Sequence, residues 1–181
     1  TLIGPGRIGQ QIIRTAQVFG MQVSAVGRAV DPNRAAVLGV DRYEPASNLR
    51  ALLPETDVLI IASPHTSETD HLIGKEEFAL LPRGAWFINI GRGAVVDETE
   101  LIARLLAGHI AHAALDVFAV EPLPTESPLW DMDNVIISPH CSANAPRENE
   151  RIVQIFIRNL HLYLDGRIDD MSPVLDKARL Y

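Results

Sequence analysis

Gly4-Pro5-Gly6-Arg7-Ile8-Gly9 follows directly on Thr1, Leu2 and Ile3. It fits G-x-G-x-x-G, the spacing found where a strand turns into a helix beneath a dinucleotide. The first glycine allows the tight turn, the second lets the backbone approach a pyrophosphate, and the third lets the helix pack against the strand. The helix start adds unpaired N–H donors and a partial positive charge. Glycine turns also arise by chance, so the flanks decide. Leu2-Ile3 makes a strand stub before the turn. After it, Ile8, Ile12, Ala16 and Phe19 recur at helical spacing and Gly20 stands at the closing position, which predicts a helix over 8–19. Gln22 to Val26 then reads as a strand. Gly4, Gly6, Arg7, Ile8 and Gly9 are therefore candidate cofactor-binding residues.

Working outward, the runs Val58 to Ala62, Ala85 to Ile90, Ile110 to Leu115 and Val135 to Ser138 are short and continuously apolar, as strands buried on both faces are. Helical patterns separate them at about 47–53, 75–81 and 97–107, the last opened by Asp97 and closed near Gly108. Such alternation predicts an α/β fold with a doubly wound parallel sheet, a Rossmann-like dinucleotide-binding domain expected to span 1–164. A helix from about 147 to 164 carries Ile152, Phe156, Leu160 and Tyr163 on one stripe, and Val153, Ile155 and Ile157 widen it. That width predicts packing on two neighbours. Residues 165–181 are polar, contain Pro173 and are expected to form a docking tail.

Composition narrows the function classes. With 181 residues, 47% hydrophobic and 22% charged, the chain suits one compact domain and excludes disordered, collagen-like and coiled-coil readings. A formal charge of -7 argues against nucleic acid as a partner. Cys141 is the single cysteine, so an internal disulfide and a four-cysteine zinc site are both excluded, and a reducing, cytoplasmic setting is expected. No apolar run approaches the ~18 to 20 residues of a membrane span, so the chain reads as soluble. The six histidines include no H-E-x-x-H pattern, and no metal is expected. The start at Thr1, without methionine or signal segment, leads us to expect further sequence upstream.

An acid reading the adenosine ribose 2′-hydroxyl belongs ~20 positions after the glycine turn, at the end of the second strand. Gly27-Arg28 stands there instead. A guanidinium can pair bidentately with a 2′-phosphate, so NADP is the preferred cofactor and NAD remains possible. On the alternative reading, Arg28 is a solvated surface charge and Asp31 bends back to the ribose.

Three further polar residues follow predicted strands, where ligands bind in open parallel sheets: Arg92, Glu121 and His140. Arg92 lies between Gly91 and Gly93, Glu121 precedes Pro122, and His140 follows Ser138-Pro139. An imidazolium held by a carboxylate can donate a proton to a developing alkoxide. A guanidinium nearby can clamp a carboxylate and polarise the adjoining carbonyl, and hydride from a nicotinamide would complete reduction of a 2-keto acid. Taken singly, each residue has a plainer reading: a surface charge, a loop acid and a hydrogen-bonded rim histidine. Their joint placement favours the catalytic one.

At these residues the chain resembles the D-isomer-specific 2-hydroxyacid dehydrogenase family. The likeness runs from the glycine turn through Asn89-Ile90-Gly91-Arg92-Gly93-Ala94-Val95-Val96-Asp97, Ala114-Leu115-Asp116-Val117-Phe118 and Glu121-Pro122 to Ser138-Pro139-His140. It implies catalytic roles for Arg92 on the substrate carboxylate and carbonyl, His140 as acid/base and Glu121 as its partner. It also implies cofactor contacts from Asp116, near the nicotinamide carboxamide, from His140, and from Pro64 in a loop passing the cofactor, where His65 reads as a cofactor-edge or surface residue and not as a second acid. Gly27-Arg28 looks like the NADP-using glyoxylate and hydroxypyruvate reductases, whereas formate dehydrogenases carry Gln where Glu121 stands. The resemblance further implies a small 2-keto or 2-hydroxy acid substrate and a homodimer. It also implies a second domain, built mostly before the dinucleotide fold, on which residues 165–181 would dock.

Two other readings were weighed. His140-Cys141 could suggest a Cys-His hydrolase, but neighbours on an extended segment point to opposite sides. A dinucleotide-sensing corepressor-like module without significant turnover is the alternative within the family.

Overall fold

The computed structural model describes residues 1–28 and 31–174. It comprises two compact units, Thr1–His140 and a second beginning at Cys141.

The first unit is built on seven parallel strands: β1 (Leu2–Ile3), β2 (Ser24–Gly27), β3 (Arg42–Pro45), β4 (Val58–Ile61), β5 (Ala85–Asn89), β6 (Ile110–Leu115) and β7 (Val135–Ile137). Their order in the sheet is β3-β2-β1-β4-β5-β6-β7. The chain thus winds outward from β1 in one direction and, from β4, in the other, which leaves a crevice at the carboxyl ends of β1 and β4. Among the described residues, four α-helices lie between the strands: α1 (Arg7–Val18), α2 (Arg34–Leu38), α3 (Lys75–Leu80) and α4 (Glu98–Leu106).

Strand side chains alternate between faces, so β1, β2 and β4 each feed two cores. Leu2 and Ala25 join Ile13 of α1, Val23 and Val40 in the smaller core. Their neighbours Ile3 and Val26 enter the larger one with Leu59, Ile61, Phe78, Phe87, Leu101 and Ile110. Phe78 of α3 meets Phe87 of β5 edge to face, with ring centroids 5.4 Å apart. Burial on both faces explains why the central strands read as unbroken apolar runs. The Asp97 side chain caps α4 by accepting from Glu100 N at 3.0 Å.

Two elements were not expected from the sequence, α2 and β3. β3 lies at the sheet edge and all four of its residues are only half-buried, so it lacks the apolar run of a central strand. Its terminal Pro45 suits an edge, where a missing N–H donor is tolerated. The helix expected over 47–53 is instead a pair of 3-10 turns, Ala46–Ala51 and Leu53–Glu55. Pro54 cannot supply the N–H that a continuous α-helix would need there, yet Leu49, Leu52 and Leu53 are still buried.

In the second unit, α5 (Glu148–Leu164) matches the expected range. Burial on two sides is not found, because none of its residues is buried and Ile152, Phe156 and Tyr163 are exposed. Arg158 Nη2 donates to Ser172 O at 2.8 Å, and Ser172 N donates to Asn159 Oδ1 at 3.2 Å, tying residue 172 to α5. The rest of the expected docking tail, 175–181, lies outside the described residues.

Candidate active site

The turn over 4–9 sits at the sheet's crevice. Gly4 adopts a φ of +91°, and a side chain there would come within 2.7 Å of Ser63 N beyond β4. A methyl group at Gly9 would collide with Gly4 O, so α1 can lie this close to the turn only with glycine. At Gly6, by contrast, nothing lies within 4 Å of where a methyl would be, which leaves open space over the start of α1. No side chain caps α1 and its first turn contains no acid. Ser63 Oγ is buried beside this turn and has no hydrogen-bond partner among the described residues. An uncapped helix start, an uncrowded glycine and a waiting polar atom fit a pyrophosphate. Around this cradle Ile8 is 61% exposed, Arg7 is exposed and Pro64 is half-buried.

Arg92, Glu121 and His140 line one cavity of ≈ 270 Å³ at the carboxyl end of the sheet, joined by His65, Gly93 and Phe118. The strands bring them there. Arg92 follows β5, where the Asn89 side chain shapes the chain by accepting from Gly91 N at 3.0 Å and donating to Arg92 O at 3.1 Å. The Arg92 guanidinium donates to Gly91 O at 2.7 Å. His140 ends the segment after β7: its N–H donates to Asp116 O at 2.8 Å, continuing the β6 contacts past the last ladder residue. Its φ is +51°, so the segment is not extended at this point. The expected divergence of His140 and Cys141 side chains, argued from an extended chain, therefore loses its premise. The imidazole is committed elsewhere: Nδ1 lies 2.7 Å from Glu121 Oε2.

Glu121 is held from two sides, since its other oxygen accepts from Phe118 N at 3.0 Å. The hydrogen bond to His140 holds the carboxyl below its ordinary pKa, against a desolvation that pushes upward, with help from Phe118 N–H and the charges of His140 and Arg92. His65 Nε2 meets Asp70 Oδ1 at 2.7 Å, and this bond, with a second from His71, likewise lowers the Asp70 carboxyl. Asp116 is 4% exposed and accepts from Ser138 Oγ. It supports the segment that carries His140 and is not among the described residues lining the cavity.

A family model for the D-isomer specific 2-hydroxyacid dehydrogenase, NAD binding domain, matches residues 1–142. The chain belongs to the D-isomer specific 2-hydroxyacid dehydrogenase family. It is 39% identical over 168 residues to a glyoxylate reductase of Aeropyrum pernix, covering 92% of this chain and 49% of that protein. Over 170 residues it is 38% identical to a glyoxylate/hydroxypyruvate reductase B of Pectobacterium atrosepticum, covering 93% and 52%. The chain thus spans about half the length of these curated relatives. Among solved structures, a D-isomer specific 2-hydroxyacid dehydrogenase from Xanthobacter autotrophicus Py2, in complex with NADPH and MES, superposes with a TM-score of 0.85 at 37% identity, covering 99% of this chain and 71% of that one. An NADPH-dependent glyoxylate/hydroxypyruvate reductase from Sinorhizobium meliloti, in complex with NADP and sulfate, gives 0.87 at 29% identity, covering 99% and 56%.

Several residues that support the site give little signal in the sequence. Asn89 reads in the sequence as a polar residue inside the run Ala85 to Ile90, and its two bonds cannot be inferred from that. Phe118 offers Glu121 a backbone N–H, for which no side-chain signal exists. Glu98 of α4 accepts from Ala119 N at 2.9 Å and fastens the same loop from outside. Glu68 carried no signal at all, yet its carboxylate pairs with Arg28.

Proposed function

We propose that the protein carrying this chain reduces small 2-keto acids of the glyoxylate and hydroxypyruvate type to D-2-hydroxy acids, with NADPH preferred and NADH accepted. The observation that carries this reading is the His140–Glu121 pair at 2.7 Å in one cavity with Arg92.

With Nδ1 engaged by Glu121, the other ring nitrogen of His140 is the one left to face a substrate oxygen. His140 then donates the proton that the developing alkoxide needs, and Glu121 keeps the ring oriented and its positive charge balanced. Arg92 supplies a planar fork for the substrate carboxylate. In the oxidative direction His140 accepts the hydroxyl proton. A bound nicotinamide dinucleotide supplies or receives the hydride. Gly4, Gly6 and Gly9 would hold its pyrophosphate at the start of α1, Arg28 its 2′-phosphate and Pro64 its nicotinamide side, while the buried Asp116 would act from behind that side through the segment it holds at Ser138 and His140.

The bound NADPH and NADP named for the two neighbours favour the phosphorylated cofactor. A homodimer and a cytoplasmic setting complete the proposal, supported by the family likeness and by the single cysteine. Among the described residues no helix is long and apolar enough to cross a membrane. The test is an assay of the full-length protein carrying this chain against glyoxylate, hydroxypyruvate and bulkier 2-keto acids, with NADPH and NADH, beside Arg28→Asp. We expect turnover of the two small acids and an NADPH advantage that Arg28→Asp reduces by about tenfold or more, as the loss of a bidentate charged contact together with a reversal of charge would. Negligible flux with tight nucleotide binding would refute the reductase, and an unchanged cofactor ratio in Arg28→Asp would refute the 2′-phosphate assignment.

A further inference from the structure

Arg28 directly follows β2, and its Nε donates to Glu68 Oε2 at 2.9 Å. Glu68 lies 40 residues away in sequence, in the loop after β4. Hydrogen bonds within that loop hold it in shape: Glu68 N donates to Thr66 Oγ1 at 3.3 Å, and Thr69 Oγ1 donates to Pro64 O at 2.8 Å. β2 and β4 flank β1 in the sheet, so the loops leaving them stand on either side of the phosphate turn. In the dinucleotide fold an acid at the end of the second strand reads a ribose 2′-hydroxyl, and a cation there reads a 2′-phosphate. Here the strand supplies the cation and the neighbouring loop supplies the acid.

Both side chains are open to solvent, at 41% and 63% exposure, so the pair is weak enough for a ligand to part it. Its members favour different cofactors. A 2′-phosphate gains from Arg28, but it must take the guanidinium from Glu68 and sit beside a like charge. A 2′-hydroxyl loses nothing to Glu68 and can donate to it. Resting on the reading of Arg28 as the 2′-position residue, we propose that Glu68 is a specificity-determining residue that moderates the NADPH preference and sustains NADH binding.

Dissociation constants of NADPH and NADH, measured by nucleotide fluorescence titration on the full-length protein carrying this chain, test this in wild type, Glu68→Gln, Glu68→Asp and Arg28→Asp. Removing one exposed charge should tighten NADPH about threefold to fivefold in Glu68→Gln and weaken NADH about twofold. Glu68→Asp, which keeps the charge, should stay near wild type. Added salt should narrow the gap between Glu68→Gln and wild type, because exposed charges are screened. If Glu68→Gln leaves the NADPH to NADH ratio unchanged, or weakens NADPH, while Arg28→Asp collapses the ratio, the role of Glu68 is overturned and that of Arg28 stands. A ratio indifferent to both substitutions overturns the Arg28 reading itself. A Glu68→Asp ratio matching Glu68→Gln would show that the carboxylate charge is not the cause.

Discussion

His140 occupies a backbone conformation that L residues adopt rarely, with φ at +51°. This costs about 1 to 2 kcal/mol, offset here by hydrogen bonds from its N–H to Asp116 O at 2.8 Å and Ser138 O at 3.0 Å. The outlier stands at the cavity wall with its ring 2.7 Å from Glu121, the kind of place where backbone strain clusters at functional sites. Asparagine tolerates the left-handed region but cannot act as the acid. His140→Asn should therefore fold normally and lose about 10² to 10⁴ in kcat for 2-keto acid reduction. Activity within tenfold of wild type would remove His140 from the mechanism. Glu121 allows a second test, through pH. Its pKa is lowered in the folded chain, so its contribution to stability is fully present above the unfolded carboxylate value, ~4.3, and is lost as pH falls through the depressed folded value. Glu121→Gln should accordingly melt below wild type at neutral pH, and the gap should close on acidification. A gap that widened toward low pH would contradict the assigned pairing. With Glu121 36% exposed, the effect should be modest.

The short turn Gly93–Val95 couples β5 to α4 and sits against the loop after β6. A methyl group on Gly93 would collide with Phe118 O, a backbone atom with little freedom to move. Gly93→Ala should destabilise the fold by about 1 to 3 kcal/mol in chemical denaturation. By parting Arg92 from Glu121 and His140 it should also lower kcat/KM by about 10². Gly6→Ala is the contrast. It meets open space, so stability should hold while nucleotide affinity falls. Equal denaturation midpoints for Gly93→Ala and wild type would mean that this contact is slack. Elements differed in how readily they could be read. α1, α4 and the central strands obey simple periodicities because one face, or both, must be apolar. β3 and the turns over 46–55 do not, because an edge position and Pro54 relax that requirement.

For the whole molecule, one cavity presents Arg92, Glu121 and His140, and the 181 residues span about half the length of their curated relatives. The isolated chain should bind NADPH yet turn over glyoxylate at least about 10²-fold more slowly than the full-length protein carrying it, since any orienting contact made by the rest of that protein is lost. Comparable rates for the two would show that this chain suffices. The sequence alone carried the alternation of strand and helix, the glycine turn and the polar residues that end β5 and β7. These are local matters of periodicity and turn chemistry, written within a few residues. The family resemblance already implies that Glu121 partners His140, whereas only the tertiary structure decided that Asn89 shapes the Arg92 turn and that Glu68 meets Arg28 from 40 residues away. The strand order β3-β2-β1-β4-β5-β6-β7 dictates which loops emerge side by side. That order is settled by long-range packing of both sheet faces, which no single stretch of the chain records.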